Sequence, residues 1–276
     1  MTINDQILIL LSKFLNDNPR IFKEKDIKEV MEAGVNHETA FKLLLLNYLG
    51  IDDKVIEHEY FDKMLHLLNV NDYYDNPYNK RIGFINKRLG KWDLRKTKYH
   101  PYELFVMDDF KYEDDKVIPM LGFFNKPFYY QAVYHDDRLW MSTTPNEINT
   151  MKEAIENSNG KVLTFGLGLG YFQYMCHLRD TVESVTIIEK DKEVIDLFTK
   201  TILPKFDFKD KINIINIDAY EYMLKINDGD FDYIFVDIYH DASDGKITYL
   251  KMNSYFKDFK KTKVDYWIYK TIKYYL

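Results

Sequence analysis

A short apolar run, Lys161-Val-Leu-Thr-Phe165, leads directly into Gly166-Leu167-Gly168-Leu169-Gly170. A strand that ends in spaced glycines and reopens as a helix is tightly constrained. The backbone must turn sharply and leave space that a Cβ would fill. The alternation then repeats. The pattern predicts a helix over 171–178, strands over 185–189, 212–217 and 231–237, helices over 192–202, 220–225 and 247–259, and a fifth strand over 264–269. Repeated strand–helix units of this kind form a parallel sheet with helices on both faces. The expected class is therefore α/β, a Rossmann-like doubly wound sheet of about five strands. Because Leu276 follows the fifth strand closely, the expected sheet is truncated, lacks antiparallel sixth and seventh strands, and could be extended by an upstream hairpin. In such sheets ligands bind beyond the carboxyl ends of the strands, where the strand order reverses.

The preceding residues read differently. Apolar spacing predicts a helix over 7–15 ended by Asn18-Pro19, another over 25–33 stopped by Gly34, a third capped by Asn36, and a fourth over 53–68. Glu32 to Ala40 resembles the turn of a helix-turn-helix. Its second helix, however, presents Leu43 to Leu46 and a single base, Lys42, so a packed helical pair is the better reading and DNA is disfavoured. Eight Lys and Arg residues then fall between Lys80 and Lys98, followed by acids at 108–115. Aromatic-rich strands are expected over 117–141, with a turn at His135-Asp136-Asp137-Arg138, and a helix over 143–155 with Pro145 in its first turn. The expected domains are thus 1–100, helical with a basic linker; 101–145, a β-hairpin segment; and 146–276, the ligand-binding α/β domain.

Charge and cysteine usage narrow the function. Lys and Arg number 38 against 44 Asp and Glu, a net charge of −6, which argues against a polycation clamped on nucleic acid. Cys176 is the only cysteine, which leaves no disulfide framework or cysteine zinc site. No apolar stretch is long enough for a membrane span, and no basic segment precedes the apolar residues at 7–11, so a cytoplasmic protein is expected. Abundant Lys, Asn, Ile and Tyr suggest a bacterial source.

The strand ends carry the chemistry. The loop spacing is G-x-G-x-G, with Tyr171 where a dinucleotide fingerprint wants its third glycine, and no phosphate-binding G-x-x-x-x-G-K-[ST] motif is present. Glu189 ends the second strand, placed for a ribose diol. Asp218 ends the third and Asp237 the fourth, the latter opening Asp237-Ile-Tyr-His240-Asp241. Each acid alone could be a helix cap. Together they face one crevice.

Gly166-Leu-Gly168-Leu-Gly170, Thr186-Ile-Ile-Glu189, Asn216-Ile-Asp218-Ala219 and Asp232-Tyr-Ile-Phe-Val-Asp237 resemble, in order and spacing, the class I S-adenosylmethionine-dependent methyltransferases and the catalytic half of spermidine synthases. The resemblance covers about residues 161–270. It implies S-adenosyl-L-methionine as cofactor and methyl transfer as activity. It would place Phe165, Gly166, Gly168 and Gly170 against the methionine part, Glu189 and Lys190 at the ribose, Asp218 at the adenine amino group with Ala219 donating its backbone N–H, and Asp237 beside the sulfur. Three positions depart from the patterns. Thr164 stands where methyltransferases carry an acid, the loop after Asp237 is not D-x-x-D-P, and Leu167 and Leu169 replace part of the glycine-rich, acid-containing turn of spermidine synthases.

Asp237, His240 and Asp241 are the expected catalytic residues, since an amine or hydroxyl acceptor needs its proton removed. No metal is required by this reading, although Asp237, His240, Asp241 and Asp244 could form an oxygen-rich site. Trp140-Met141-Ser142 is placed either to cover the pocket or to fill core. The acceptor is a small molecule or, if the basic segment forms a rim, RNA. The aromatic hairpin offers a homodimer face. Two alternatives remain open: an aminopropyltransferase using decarboxylated adenosylmethionine, and a non-catalytic module that binds adenosylmethionine.

Overall fold

A computed structural model describes residues 2–16, 20–51 and 58–276. The expected stop at Asn18-Pro19 and the start of the fourth helix near Asp53 lie outside them. The chain forms two compact units, one of residues 1–74 with 97–129, the other of 75–96 with 130–276.

The first unit holds α1 (Ile3–Asn16), α2 (Glu24–Met31), α3 (His37–Leu49), α4 (His58–Met64), β1 (Leu65–Leu67) and α5 (Val70–Tyr74). The Asn36 side chain caps α3 by accepting the Thr39 N–H at 2.9 Å. One face of α3 buries Ala40, Phe41, Leu45, Leu46 and Leu49 among Ile7, Leu11 and Phe14 of α1. That is a packed helix, with Leu45, Leu46 and Leu49 turned inward and Leu43 exposed. This unit is not helical throughout, unlike the helical domain expected over 1–100. Strands β4 (Phe105–Glu113) and β5 (Lys116–Phe123) pair antiparallel, β1 adds to β5 in parallel, and Phe41 stacks on Phe123 with ring centroids 4.1 Å apart. Asp114 and Asp115 make the two-residue turn, both at positive φ, which short polar residues tolerate.

The second unit contains α6 (Pro77–Ile82), β2 (Lys87–Leu89), β3 (Trp92–Tyr99), β6 (Phe128–His135) and β7 (Arg138–Ser142), with residues 97–99 and 128–129 of β3 and β6 grouped in the first unit. The four strands form a sheet in the order β2-β3-β6-β7. The expected turn is present, with Asp136 and Asp137 at positive φ. Next come α7 (Pro145–Thr150) and α8 (Lys152–Asn157), two short helices broken at Met151 where the pattern predicts one.

The rest alternates as expected: β8 (Gly160–Phe165), α9 (Tyr171–His177), β9 (Val182–Glu189), α10 (Lys192–Thr201), β10 (Ile212–Asn216), α11 (Ala219–Met223), β11 (Tyr233–Val236), α12 (Ala242–Phe256), β12 (Lys263–Tyr266) and α13 (Tyr269–Tyr274). The sheet is wholly parallel, in the order β10-β9-β8-β11-β12. The fold is the expected doubly wound, Rossmann-like one. The upstream hairpin does not extend this sheet; β6 and β7 satisfy their backbone groups in the four-stranded sheet instead. Central strands β8 and β11 are buried on both sides, as the near-continuous apolar runs Val162-Leu163 and Tyr233 to Val236 require.

Candidate active site

The strand order reverses between β8 and β11, and every loop leaving the carboxyl ends of β8, β9, β10 and β11 meets there. They enclose a cavity of about 280 Å³. Gly166, Leu167 and Gly168 line it after β8; Ile188, Glu189 and Lys190 at the end of β9; Asp218, Ala219 and Tyr220 after β10; and Asp237 to His240 after β11. Trp140, Met141, Glu147 and Trp267 complete the wall.

The glycines are required by geometry. Gly166 has φ +101° and Gly168 φ +50°. A Cβ on Gly166 would overlap the carbonyl oxygen of Asp237, and one on Gly168 the sulfur of Met141. That sulfur accepts the Leu169 N–H at 3.1 Å, so β7 lies directly on the glycine loop. Gly170, at φ +70°, lies against Phe198 and is not part of the cavity wall. Phe165 is fully buried beneath the loop, its carbonyl accepting the Asp237 N–H at 2.9 Å. Thr164 is also buried. Its hydroxyl faces the Gly166 carbonyl at 3.4 Å, and the Gln173 amide donates to that carbonyl at 2.9 Å. Position 164 therefore serves the loop and supplies no charge to the cavity.

The acids divide by partner. Glu189 accepts the Leu167 N–H (3.3 Å) on one oxygen and the Asp191 N–H (2.8 Å) on the other. Burial raises its pKa, and these two bonds oppose that. Each oxygen keeps a further lone pair, enough for a diol. Asp218 caps α11, accepting the N–H groups of Tyr220 (2.8 Å) and Glu221 (3.4 Å), both on Oδ1. Asp237 is pushed up to about 7 by burial alone. Glu147 is held well above the usual carboxylate range, first by burial and then by the charge of Asp237, while the Ser142 N–H donates to it. His240 stacks on Trp140 with ring centroids 6.0 Å apart, and its buried Nδ1 has no hydrogen-bond partner among the described residues.

Asp241 has a different role from the expected one. It is the N-cap of α12, accepting the Ser243 N–H at 2.8 Å and the Ser243 hydroxyl at 2.5 Å, while Asp244 closes a capping box. Those bonds lower its pKa, the Ser243 hydroxyl first. Asp241 is absent from the cavity wall, as are Phe165 and Gly170. No group of three or more His, Cys, Asp or Glu converges as a metal site among the described residues.

Glu147 escaped the sequence reading because, beside Pro145, an acid in the first turn of a helix reads as a dipole partner. Trp140 and Met141 do line the cavity, and so does Trp267, whose indole N–H is held by Thr150 at 2.9 Å. Only the fold brings these residues to the strand ends. Much of the basic segment is paired locally: Lys80 with Asp75, Arg81 with Asp207, Lys91 with Asp136, and Arg95 with both Asp93 and Asp137. No described helix is long and apolar enough to cross a membrane.

Comparison with known proteins adds one domain. The spermine/spermidine synthase domain matches residues 147–264, from α7 into β12 and less than half of the chain. No curated protein matches the sequence. Among solved structures, spermidine synthase from Thermotoga maritima is 18% identical over 53% of this chain and 56% of its own, with a TM-score of 0.37. A spermidine synthase in complex with the transition-state analogue AdoDATO is 20% identical over 53% of this chain and 57% of its own, with a TM-score of 0.39. The chain thus spans little more than half the length of either protein.

Proposed function

We propose that this chain transfers an alkyl group from an adenosyl sulfonium to an amine, with Asp237 as the general base. The observation that carries this reading is the row of acids along one sheet edge. Asp218, Glu189 and Asp237 leave adjacent carboxyl ends on either side of a glycine loop that a Cβ would block. The residues fit an adenosyl group: Asp218 and Ala219 suit an adenine edge, Glu189 a ribose diol, and Gly166 and Gly168 a closely approaching chain. At about 280 Å³ the cavity is close to the range of roughly 300–1,000 Å³ usual for small-molecule sites. When bound, the sulfonium supplies an electrophilic carbon, forming a C–N bond with the amine lone pair as the C–S electron pair leaves with sulfur. Asp237, poised near neutrality, takes the ammonium proton that would otherwise block that lone pair.

S-adenosylmethionine, and hence methyl transfer, is the first reading, because the loop at Leu167 and Leu169 lacks the acid of the spermidine synthase turn. Two observations favour a second reading, aminopropyl transfer from the decarboxylated donor. One is the domain match; the other is a wall that holds Glu147, Glu189, Asp218 and Asp237 with Lys190 as its only Lys or Arg, offering little to a carboxylate.

The test is incubation of the protein with either donor and a set of primary amines, followed by chromatography. Adenosylhomocysteine as product establishes methyl transfer, and methylthioadenosine with an extended amine establishes aminopropyl transfer. Absence of both, together with no calorimetric binding of either donor, refutes the reading.

A further inference from the structure

The order of the acids along the sheet has a directional consequence. Strands β10, β9, β8 and β11 lie side by side, about 4.8 Å apart. An adenosyl group with its base at Asp218 and its ribose at Glu189 must therefore run its 5′ substituent across β8, over Gly166 and Gly168, toward β11. That end of the cavity is walled by Met141, Glu147 and Asp237. Glu147 is tied to the glycine loop through β7: its carboxylate takes the Ser142 N–H, and the neighbouring Met141 sulfur takes the Leu169 N–H at 3.1 Å. Position 164, the nearest alternative source of a charge beneath the loop, is a buried threonine bonded to the loop itself.

We infer that Glu147 is the counter-ion for the ammonium on the donor's 5′ tail, which leaves Asp237 for the acceptor. This rests on the proposed adenosyl sulfonium site and deepens it. It does not depend on which donor is used, since methionine and aminopropyl tails both carry an ammonium. The other titratable groups facing the cavity are Glu189, Lys190, Asp218, Tyr220, Tyr239 and His240. Glu189, Lys190, Asp218 and Tyr220 stand at the nucleoside end. Tyr239 and His240 follow β11, and the Tyr239 hydroxyl is already donated to the Trp267 carbonyl. Burial makes both carboxyls resist ionisation, and the charge of Asp237 adds to this at Glu147, so the two acids lie close enough to interact.

The test is calorimetry on the full chain with two ligands that differ in the tail: adenosylhomocysteine, which carries the ammonium, and 5′-methylthioadenosine, which does not. Glu147→Gln should weaken adenosylhomocysteine about 10–100-fold, the loss expected for a charge-assisted hydrogen bond. It should leave methylthioadenosine unchanged, which also shows that the variant is folded, and Glu147→Asp should recover part of the loss. Equal weakening of both ligands, or of neither, overturns the assignment while the adenosyl site stands. If the wild-type chain binds neither ligand, the functional reading falls and the assignment with it.

Discussion

Replacing Asp237 with asparagine removes a carboxylate that the fold does not readily ionise. Burial moves this group from 3.8 to about 7. The shift is about three pH units, and at ~1.4 kcal/mol per unit it corresponds to ~4 kcal/mol. The native state holds the proton where the unfolded chain has lost it. Wild-type stability from this group is therefore intact below about pH 4, declines through the interval up to about pH 7, and is flat above it. Because the carboxylate borders an open cavity, ~4 kcal/mol is an upper limit. Asparagine keeps the shape and the backbone N–H donated to Phe165, and it has nothing to ionise. The variant should thus unfold close to wild type near pH 4 and well above it near pH 8, by up to roughly 8–16 °C at ~2–4 °C per kcal/mol. Thermal unfolding of both proteins across that interval measures the difference. Parallel curves would refute the burial argument, and so would a variant that is less stable above pH 7. Loss of activity with gain of stability is the pattern expected when a group is kept for chemistry.

Other consequences follow from the same geometry. Transfer should rise with pH through about 7 as Asp237 ionises, and the Asp237→Asn variant should retain less than roughly one hundredth of the wild-type rate with that inflection gone, as steady-state profiles would show. Glu189→Ala should abolish calorimetric binding of adenosyl ligands and free the Leu167 N–H, while the circular dichroism spectrum is unchanged. Gly166→Ala should lower the unfolding free energy by more than ~2 kcal/mol, because the methyl meets the Asp237 carbonyl at a φ that L-residues avoid; an urea titration matching wild type would contradict this. Asp241→Ala should cost ~1–2 kcal/mol by uncapping α12, with donor affinity intact.

The α/β half of the chain is legible because its signals are local. Apolar runs of strand length alternate with helical spacing, and Gly166 and Gly168 announce a turn that only they can make. The acids at 189, 218 and 237 could be placed on strand ends because parallel topology puts each such end on the same edge. Local patterns also found the cap at Asn36, while Asp218, placed at an adenine amino group with capping as the alternative, is an N-cap in the structure. Where charge dominated, the reading failed. Strand β3, Trp92–Tyr99, buries Trp92, Leu94 and Tyr99, but its exposed face is Arg and Lys, so a count of charges suggested a basic linker. Strand β4 was hidden in the same way by its aspartates. Asp241 shows the opposite limit: two positions in one loop, 237 and 241, carry the same side chain, and only the direction each one takes separates a cavity acid from a helix cap.

The sequence was enough for the parallel sheet and for the acids at its carboxyl edge, because backbone hydrogen bonding and side-chain periodicity leave a doubly wound chain few alternatives. The cavity wall beyond those strand ends was legible only at Trp140 and Met141, which the sequence offers as a cover or as core. Glu147, Trp140, Met141 and Trp267 come from a hairpin, a short helix and the segment after β12, and they share no spacing with the strand ends. What brings them together is packing across long stretches of chain, and that same packing excludes the water that would otherwise leave Asp237 and Glu147 as ordinary, fully ionised carboxylates.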